Sequence, residues 1–314
     1  MPNSQDIEWF KQSFGPALAA ALAGTPFDPD QLIAIASQET GHIWSVLRKK
    51  PLTLDQVVAL CVGDTIDYKG PDKGRQVFPR TKAALLAEPG GQAMFGIARQ
   101  ALVDMAKHIP GYDGAVANPD KFCHGYGVFQ RDLQFYKVDP AYFLNRRYAV
   151  FAETLAQCLG ELRRGVKKLG FDAIARLSDA EFCKVAIAYN TGGYKAAKGL
   201  KQGHFDGVKF YGEHIADYIA LSRTVLAAAP VRPGPHEVIA RGGLKLRAGP
   251  GTAFDWEEIL PLGTLLQVVR ADPNDPAWAL VDLQGDGLVD GYVFAAFLAP
   301  APPGDGSEAV PEPG

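Results

Sequence analysis

Asp28-Pro29-Asp30-Gln31-Leu32-Ile33-Ala34-Ile35-Ala36-Ser37-Gln38-Glu39-Thr40-Gly41 opens like a helix and carries a carboxylate on its apolar side. Asp28 is placed to cap the free N–H groups of the first turn, and Pro29 has the fixed φ that the first helical position accepts. Leu32, Ile35 and Ala36 form a stripe, and Glu39 falls on it nearly two turns beyond Leu32. Gly41 is the expected helix end, which sets Glu39 near the negative pole of the helix. Burial and that pole both disfavour the charged carboxylate. A carboxyl group that keeps its proton near neutral pH is what a general acid needs. Taken alone, a solvated glutamate at a fraying helix end is the plainer reading.

Outward from this stretch, most of the chain reads as helix. Phe10, Phe14 and Leu18 recur every four residues, and Tyr148, Phe151, Leu155, Leu159, Leu162, Val166 and Leu169 alternate threes and fours up to Gly170. Ser178 and Glu181 form a capping box ahead of a stripe of Phe182, Val185, Ala186 and Tyr189, which delivers Tyr189 and Asn190 to a helix end. Tyr211, Ile215, Tyr218 and Val225 mark a further helix. Pro230-Val231-Arg232-Pro233-Gly234-Pro235 then interrupts the helical pattern and reads as a linker over 230–235. Short apolar runs separated by glycine and proline follow, namely Leu244-Lys245-Leu246, Ile259-Leu260, Leu265 to Val269, Trp278 to Leu283 and Gly291 to Phe294, which predict a small antiparallel β unit. The tail over 299–314, rich in Pro, Gly and acidic residues, is expected to be disordered.

Composition narrows the function. With 47% hydrophobic and 21% charged residues the chain is an ordinary globular protein, and a net charge of -3 supplies no basic field for nucleic acid. The segment from Met1 to Phe10 lacks the basic stretch and apolar run of a signal peptide, and Ala17 to Ala23 is too short to span a bilayer. Synthesis as a cytoplasmic species without a membrane span is the expectation. Cys61, Cys123, Cys158 and Cys183 lie far apart without zinc-ligand spacing; buried thiols are expected, with pairing after export the alternative. No metal or cofactor is expected.

Two further stretches give Glu39 a context: Gly125-Tyr126-Gly127-Val128-Phe129-Gln130 and Ala188-Tyr189-Asn190-Thr191-Gly192-Gly193. With Glu39-Thr40-Gly41 and in this order, they resemble the lysozyme-like superfamily of bacterial lytic transglycosylases and goose-type lysozymes, which show "E-S-x-G", "G-x-[GM]-Q" and "A-Y-N-x-G". Thr40 stands where the family usually has serine, and Val128-Phe129 stand where it has Leu-Met. The resemblance implies a mainly α lysozyme-like catalytic domain over 1–229 that cleaves the β-1,4 bond between N-acetylmuramic acid and N-acetylglucosamine in peptidoglycan glycan strands. Glu39 is the implied acid, and Thr40, Gly127, Gln130, Tyr189 and Asn190 are the implied substrate-binding residues. The Gln130 amide can both donate to and accept from sugar hydroxyl or N-acetyl groups.

An inverting hydrolase also needs a base that activates water across a gap of roughly 6.5–9.5 Å. Gly127-Val128-Phe129-Gln130-Arg131-Asp132 resembles the goose-type "G-L-M-Q-V-D", which makes Asp132 the first candidate. Asp120 is the second, although an Asn-Pro-Asp turn is its preferred reading and Lys121 occupies the family's other acidic position. Without a base, the substrate closes on itself to an anhydro sugar, as in lytic transglycosylases. A chitinase-like hydrolase and a binding protein without turnover are the remaining alternatives. The stretch from Arg48 to Pro110 is longer than the family's usual connection; Leu54, Val57, Val58 and Cys61, then Ile97, Ala101, Val103 and Met105, mark it as a helical insertion that either walls the cleft or is purely structural.

Leu244-Lys245-Leu246-Arg247-Ala248-Gly249-Pro250-Gly251, Leu262-Gly263-Thr264, Trp278 and Gly291-Tyr292-Val293 resemble bacterial SH3 domains, with their "L-x-[LV]-R-x-G-P-x" opening and late "G-[WY]-V". This implies a small all-β SH3-like barrel over 236–298 that binds the cell wall. A phage lysin and an effector sent out by a secretion machine both fit a wall enzyme without a signal peptide.

Overall fold

Local capping chemistry and apolar spacing set most of the helices. The computed structural model describes residues 1–65, 74–225, 231–252, 254–273, 275 and 277–301. The chain folds as two units, Met1–Ala227 and Ala228–Gly314, and among the described residues the fold is mixed, with ten α-helices and two antiparallel sheets. The first unit contains α1 (Ser4–Leu22), α2 (Pro29–Leu47), α3 (Leu54–Ala59), β1 (Val62–Thr65), α4 (Lys82–Leu86), α5 (Gly91–Ala106), α6 (Asp113–Ala117), β2 (Cys123–Tyr126), β3 (Arg131–Asp132), α7 (Pro140–Leu144), α8 (Phe151–Leu169), α9 (Asp179–Thr191) and α10 (Tyr211–Thr224).

Asp28 caps α2 as predicted, accepting the Gln31 N–H at 3.1 Å while the Gln31 side chain accepts the Asp28 N–H. The helix does not stop at Gly41. A Cβ there would lie 2.4 Å from Cγ of Pro2, so this glycine serves a close approach of the N-terminal chain, not a cap. Beyond it Ile43, Trp44 and Leu47 are buried, and their burial outweighs the roughly 1 kcal/mol that a mid-helix glycine costs. Glu39 therefore sits inside the helix, and the expected influence of the negative pole falls away, because it acts only over the last turn.

In α1 the predicted Phe10, Phe14 and Leu18 are all buried, and Phe14 stacks on Phe151 of α8. Gly170, with φ +70°, caps α8, and Ser178 with Glu181 caps α9. α10 packs against both α2 and α9, which brings its first residue, Tyr211, toward the middle of α2.

The stretch 48–110 is helical in α3, α4 and α5, and it also supplies β1, a strand that its apolar spacing does not announce. β1 pairs with β2 (Val62 opposite Tyr126, Gly63 opposite Gly125), and β2 pairs with β3 (Gly125 opposite Asp132, Tyr126 opposite Arg131).

The second unit contains β4 (Gly234–Val238), β5 (Leu244–Arg247), β6 (Trp256–Leu260), β7 (Leu265–Ala271), β8 (Trp278–Asp282), β9 (Gly291–Phe294) and β10 (Leu298–Pro300). They form one antiparallel sheet in the order β10-β4-β7-β8-β9-β5-β6, and among the described residues no pairing joins β10 to β6, so the expected barrel appears as an open-ordered sheet. Alternation puts Leu266 and Val268 into a core with Val238, Leu246, Val281 and Val293. Gly234 and Pro235, expected in the linker, already belong to β4. Ala299 and Pro300, expected in the tail, pair with Glu237 and His236. Residue 230 of the linker and residues 302–314 of the tail lie outside the described residues.

Candidate active site

β2 and β3 form a hairpin whose tip, Gly127–Gln130, is the glycine-rich motif. The Gln130 N–H donates to the Gly127 carbonyl at 3.0 Å, with Gly127 at φ +78° and Gln130 at φ +49°. A Cβ on Gly127 would lie 2.3 Å from Oγ1 of Thr154, so only glycine lets the tip meet α8. Two hydroxyls hold the tip from opposite helices: Thr40 of α2 donates to the Val128 carbonyl at 2.6 Å, and Tyr189 of α9 donates to the Phe129 carbonyl at 2.5 Å. The three motifs that are far apart in sequence meet through these two bonds.

Beside the tip lies a cleft of about 210 Å³ lined by Glu39, His124, Gly125, Phe129, Gln130, Arg131, Asp132, Gln134, Phe135, Thr154, Gln157, Cys158, Glu161, Tyr189 and Asn190. Of the residues singled out by sequence, Glu39, Gln130, Asp132, Tyr189 and Asn190 come together here. Thr40 is fully buried and outside the lining, as is Gly127; both brace the hairpin. Asp120 is elsewhere, its N–H bonded to the Asn118 side chain in a turn and its carboxylate paired with Lys82 at 2.8 Å. None of the described residues of 48–110 lines the cleft, although β1 pairs with β2 and Arg75 reaches Asp132.

Glu39 accepts a hydrogen bond at Oε1 from the Tyr211 hydroxyl, 2.8 Å away. Burial, and next the Glu39 charge, push the Tyr211 phenol well above its ordinary range, so it remains a donor at neutral pH. Burial does the same to Tyr189 and to the Cys158 thiol, with Glu39 among the charges that add to it. Tyr211 is legible in the sequence only as part of a helical stripe. Its neighbour Gly203 explains the close fit at this end, since a Cβ there would lie 2.5 Å from the Tyr211 Cβ and 2.8 Å from Asn190 Oδ1.

Gln130 folds back over its own hairpin. Its amide donates to the Gly127 carbonyl at 3.0 Å, and a Cβ on Gly125 would lie 2.1 Å from Gln130 Oε1. Part of the amide expected to meet sugar thus holds the turn.

Asp132 is held on every side. Arg75 forms a two-pronged ion pair with it, Nη1 reaching Oδ2 at 2.8 Å and Nη2 reaching Oδ1. His124 Nδ1 lies 2.9 Å from Oδ2, and the Gln134 N–H donates to Oδ1 at 2.7 Å. Burial alone would push this carboxyl up; the bonds from His124 and Arg75 outweigh it and hold it down at about 2. Such a carboxylate is a poor proton acceptor. Arg75 is itself anchored by the carbonyls of Phe78 and Pro79.

Glu161 of α8 is a third carboxylate in the cleft, beside Glu39 and Asp132, and no motif in the sequence singles it out. Its Oε1 accepts from Arg131 Nη1 at 3.0 Å and from Arg164. Thr154, Gln157 and Glu161 recur along one side of α8, and this polar row at helical spacing is the signal that could have revealed it.

No group of three or more His, Cys, Asp or Glu side chains able to hold a metal ion occurs among the described residues, the four cysteines are free and buried, and no described helix is long and apolar enough to cross a membrane. Comparison of the chain with protein families, curated proteins and solved structures finds no match.

Proposed function

We propose that the first unit is a lysozyme-like glycosidase of peptidoglycan, cutting the β-1,4 bond between N-acetylmuramic acid and N-acetylglucosamine with Glu39 as the general acid. The observation that carries this reading is the hydrogen bond from Tyr211 to Glu39 at the edge of a polar cleft shared with Gln130, Tyr189 and Asn190. The Tyr211 hydroxyl donates to Oε1 and so orients the carboxyl group that carries the proton. Glu39 protonates the glycosidic oxygen as the C1–O bond breaks and the sugar gains oxocarbenium character. Asn190, at the end of α9, is suited to bond the substrate's N-acetyl group, and the Tyr189 ring supplies an apolar wall.

The low pKa of Asp132, held down by His124 and Arg75 against its burial, favours a second reading of the capture step, in which the substrate closes on itself to an anhydro sugar as in lytic transglycosylases. A chitinase-like activity shares the same acid. Mass spectrometry of digested sacculi and of chitin oligomers separates these: reducing ends identify a hydrolase, anhydro ends a transglycosylase, and cleavage confined to chitin displaces peptidoglycan as substrate.

The second unit is read as an SH3-like module that grips the wall. Its support is the SH3-like motif together with Phe254 and Trp256, which expose about half their surface, and Lys245, whose ammonium lies 4.8 Å from the Trp256 ring.

A further inference from the structure

We propose that Glu161 is the catalytic base of the cleft, taking the proton from the water that attacks the anomeric carbon, so that cleavage is hydrolytic and inverts the configuration. This rests on the glycosidase reading of Glu39 and deepens it.

A carboxylate offers about four acceptor sites. Asp132 has three of them engaged, two by Arg75 and one by the Gln134 N–H, and His124 Nδ1, which also lies 3.1 Å from Arg75 Nη1, sits 2.9 Å from Oδ2. Glu161 is engaged differently. Both of its arginine partners meet Oε1, and among the described residues Oε2 accepts no hydrogen bond. One oxygen anchors the group and the other is left for water.

The anchor is firm. Arg131 is 7% exposed and its guanidinium lies 4.2 Å from the centre of the Phe135 ring, so the cation that holds Oε1 is itself fixed by stacking. Glu39 and Glu161 reach the cleft from different helices, α2 and α8, and line it together with Tyr189. The cleft of about 210 Å³ has room for several waters at about 30 Å³ each.

The step balances without any further reactant. Glu39 gives its proton to the leaving oxygen and the C1–O bond breaks. Water forms the new C1–O bond from the opposite face and passes one proton to Glu161 Oε2. Exchange with solvent then returns Glu39 to its acid form and Glu161 to its carboxylate.

The test uses the full chain with a soluble muramyl disaccharide aryl β-glycoside. Proton NMR of the wild-type reaction reads the first anomer released: the α anomer is expected, and the β anomer or an anhydro sugar overturns the proposal while leaving Glu39 as acid. Glu161→Gln is expected to slow hydrolysis about 100-fold, and azide is expected to restore turnover and yield the α-glycosyl azide. Asp132→Asn is expected to show no such rescue. Glu161→Gln with wild-type turnover, or a folded Glu161→Gln that azide does not rescue, overturns the proposal. The wild-type anomer decides the matter if Glu161→Gln does not fold. Absence of glycan cleavage by the wild-type protein on this substrate, sacculi and chitin oligomers alike overturns the glycosidase reading and this inference with it.

Discussion

The Tyr211 hydroxyl donates to Oε1 of Glu39 across 2.8 Å, joining the first residue of α10 to the interior of α2. A hydrogen bond to a charged or partly charged acceptor contributes about 1.5–3 kcal/mol. Tyr211→Phe keeps the ring that fills this space and removes the donor. Steady-state kinetics on soluble glycan are expected to show kcat reduced about tenfold or more with KM little changed. Unaltered kcat contradicts the positioning of Glu39 by this bond.

The ion pair between Arg75 and Asp132 predicts a defined pH dependence of stability. The folded-state carboxyl is held at about 2, below an unfolded value near 3.9, so its contribution is fully present above pH 4 and is lost as pH falls toward 2. The magnitude is about 2 kcal/mol for this partly buried group. Arg75→Met is expected to lower the denaturation free energy at pH 7 by about that amount or more, and to flatten its fall between pH 4 and pH 2. Chemical denaturation at several pH values measures both.

The Thr40 hydroxyl donates to the Val128 carbonyl at 2.6 Å, so it is the hydroxyl of this buried side chain that ties α2 to the hairpin. Thr40→Ser is expected to leave stability within about 1 kcal/mol. Thr40→Val orphans a buried carbonyl and is expected to cost about 1–3 kcal/mol. Equal stability of the two variants contradicts this role.

Much of the helical unit is legible in the sequence because its signals are local. Asp28 with Pro29, Ser178 with Glu181, and Gly170 each mark a helix boundary through residues within one turn of it, and the structure uses them in that way. Gly41 misleads because its partner, Pro2, is far away in sequence, and a glycine that admits a distant chain looks the same as one that ends a helix. β1, Arg75, Glu161 and Tyr211 owe their places to pairings over long separations, which no local pattern records. Asp132 is legible as a position, whereas its low pKa is not, since that depends in part on Arg75, 57 residues earlier. In the second unit the strands with alternating apolar residues are readable, whereas β4 and β10, short and proline-containing, are hidden in what resembles linker and tail.

Trp256 offers a test of wall binding that keeps the chain intact. It is 49% exposed on β6, an outer strand of the sheet, so Trp256→Ala removes a surface ring and little core packing. Co-sedimentation with purified sacculi is expected to show binding weakened severalfold, with the thermal midpoint unchanged and soluble-glycan cleavage retained. Binding equal to wild type contradicts the wall-gripping role of this face.

If Glu39 is the acid of a wall-cleaving enzyme, Glu39→Gln removes the transferable proton while keeping the size of the side chain. Release of muropeptides from purified sacculi by the wild-type and Glu39→Gln proteins, compared by mass spectrometry at equal folded concentration, tests it directly. Release by the wild-type protein and a loss of at least about 100-fold in the variant are expected; equal release by both rules out Glu39 as the acid.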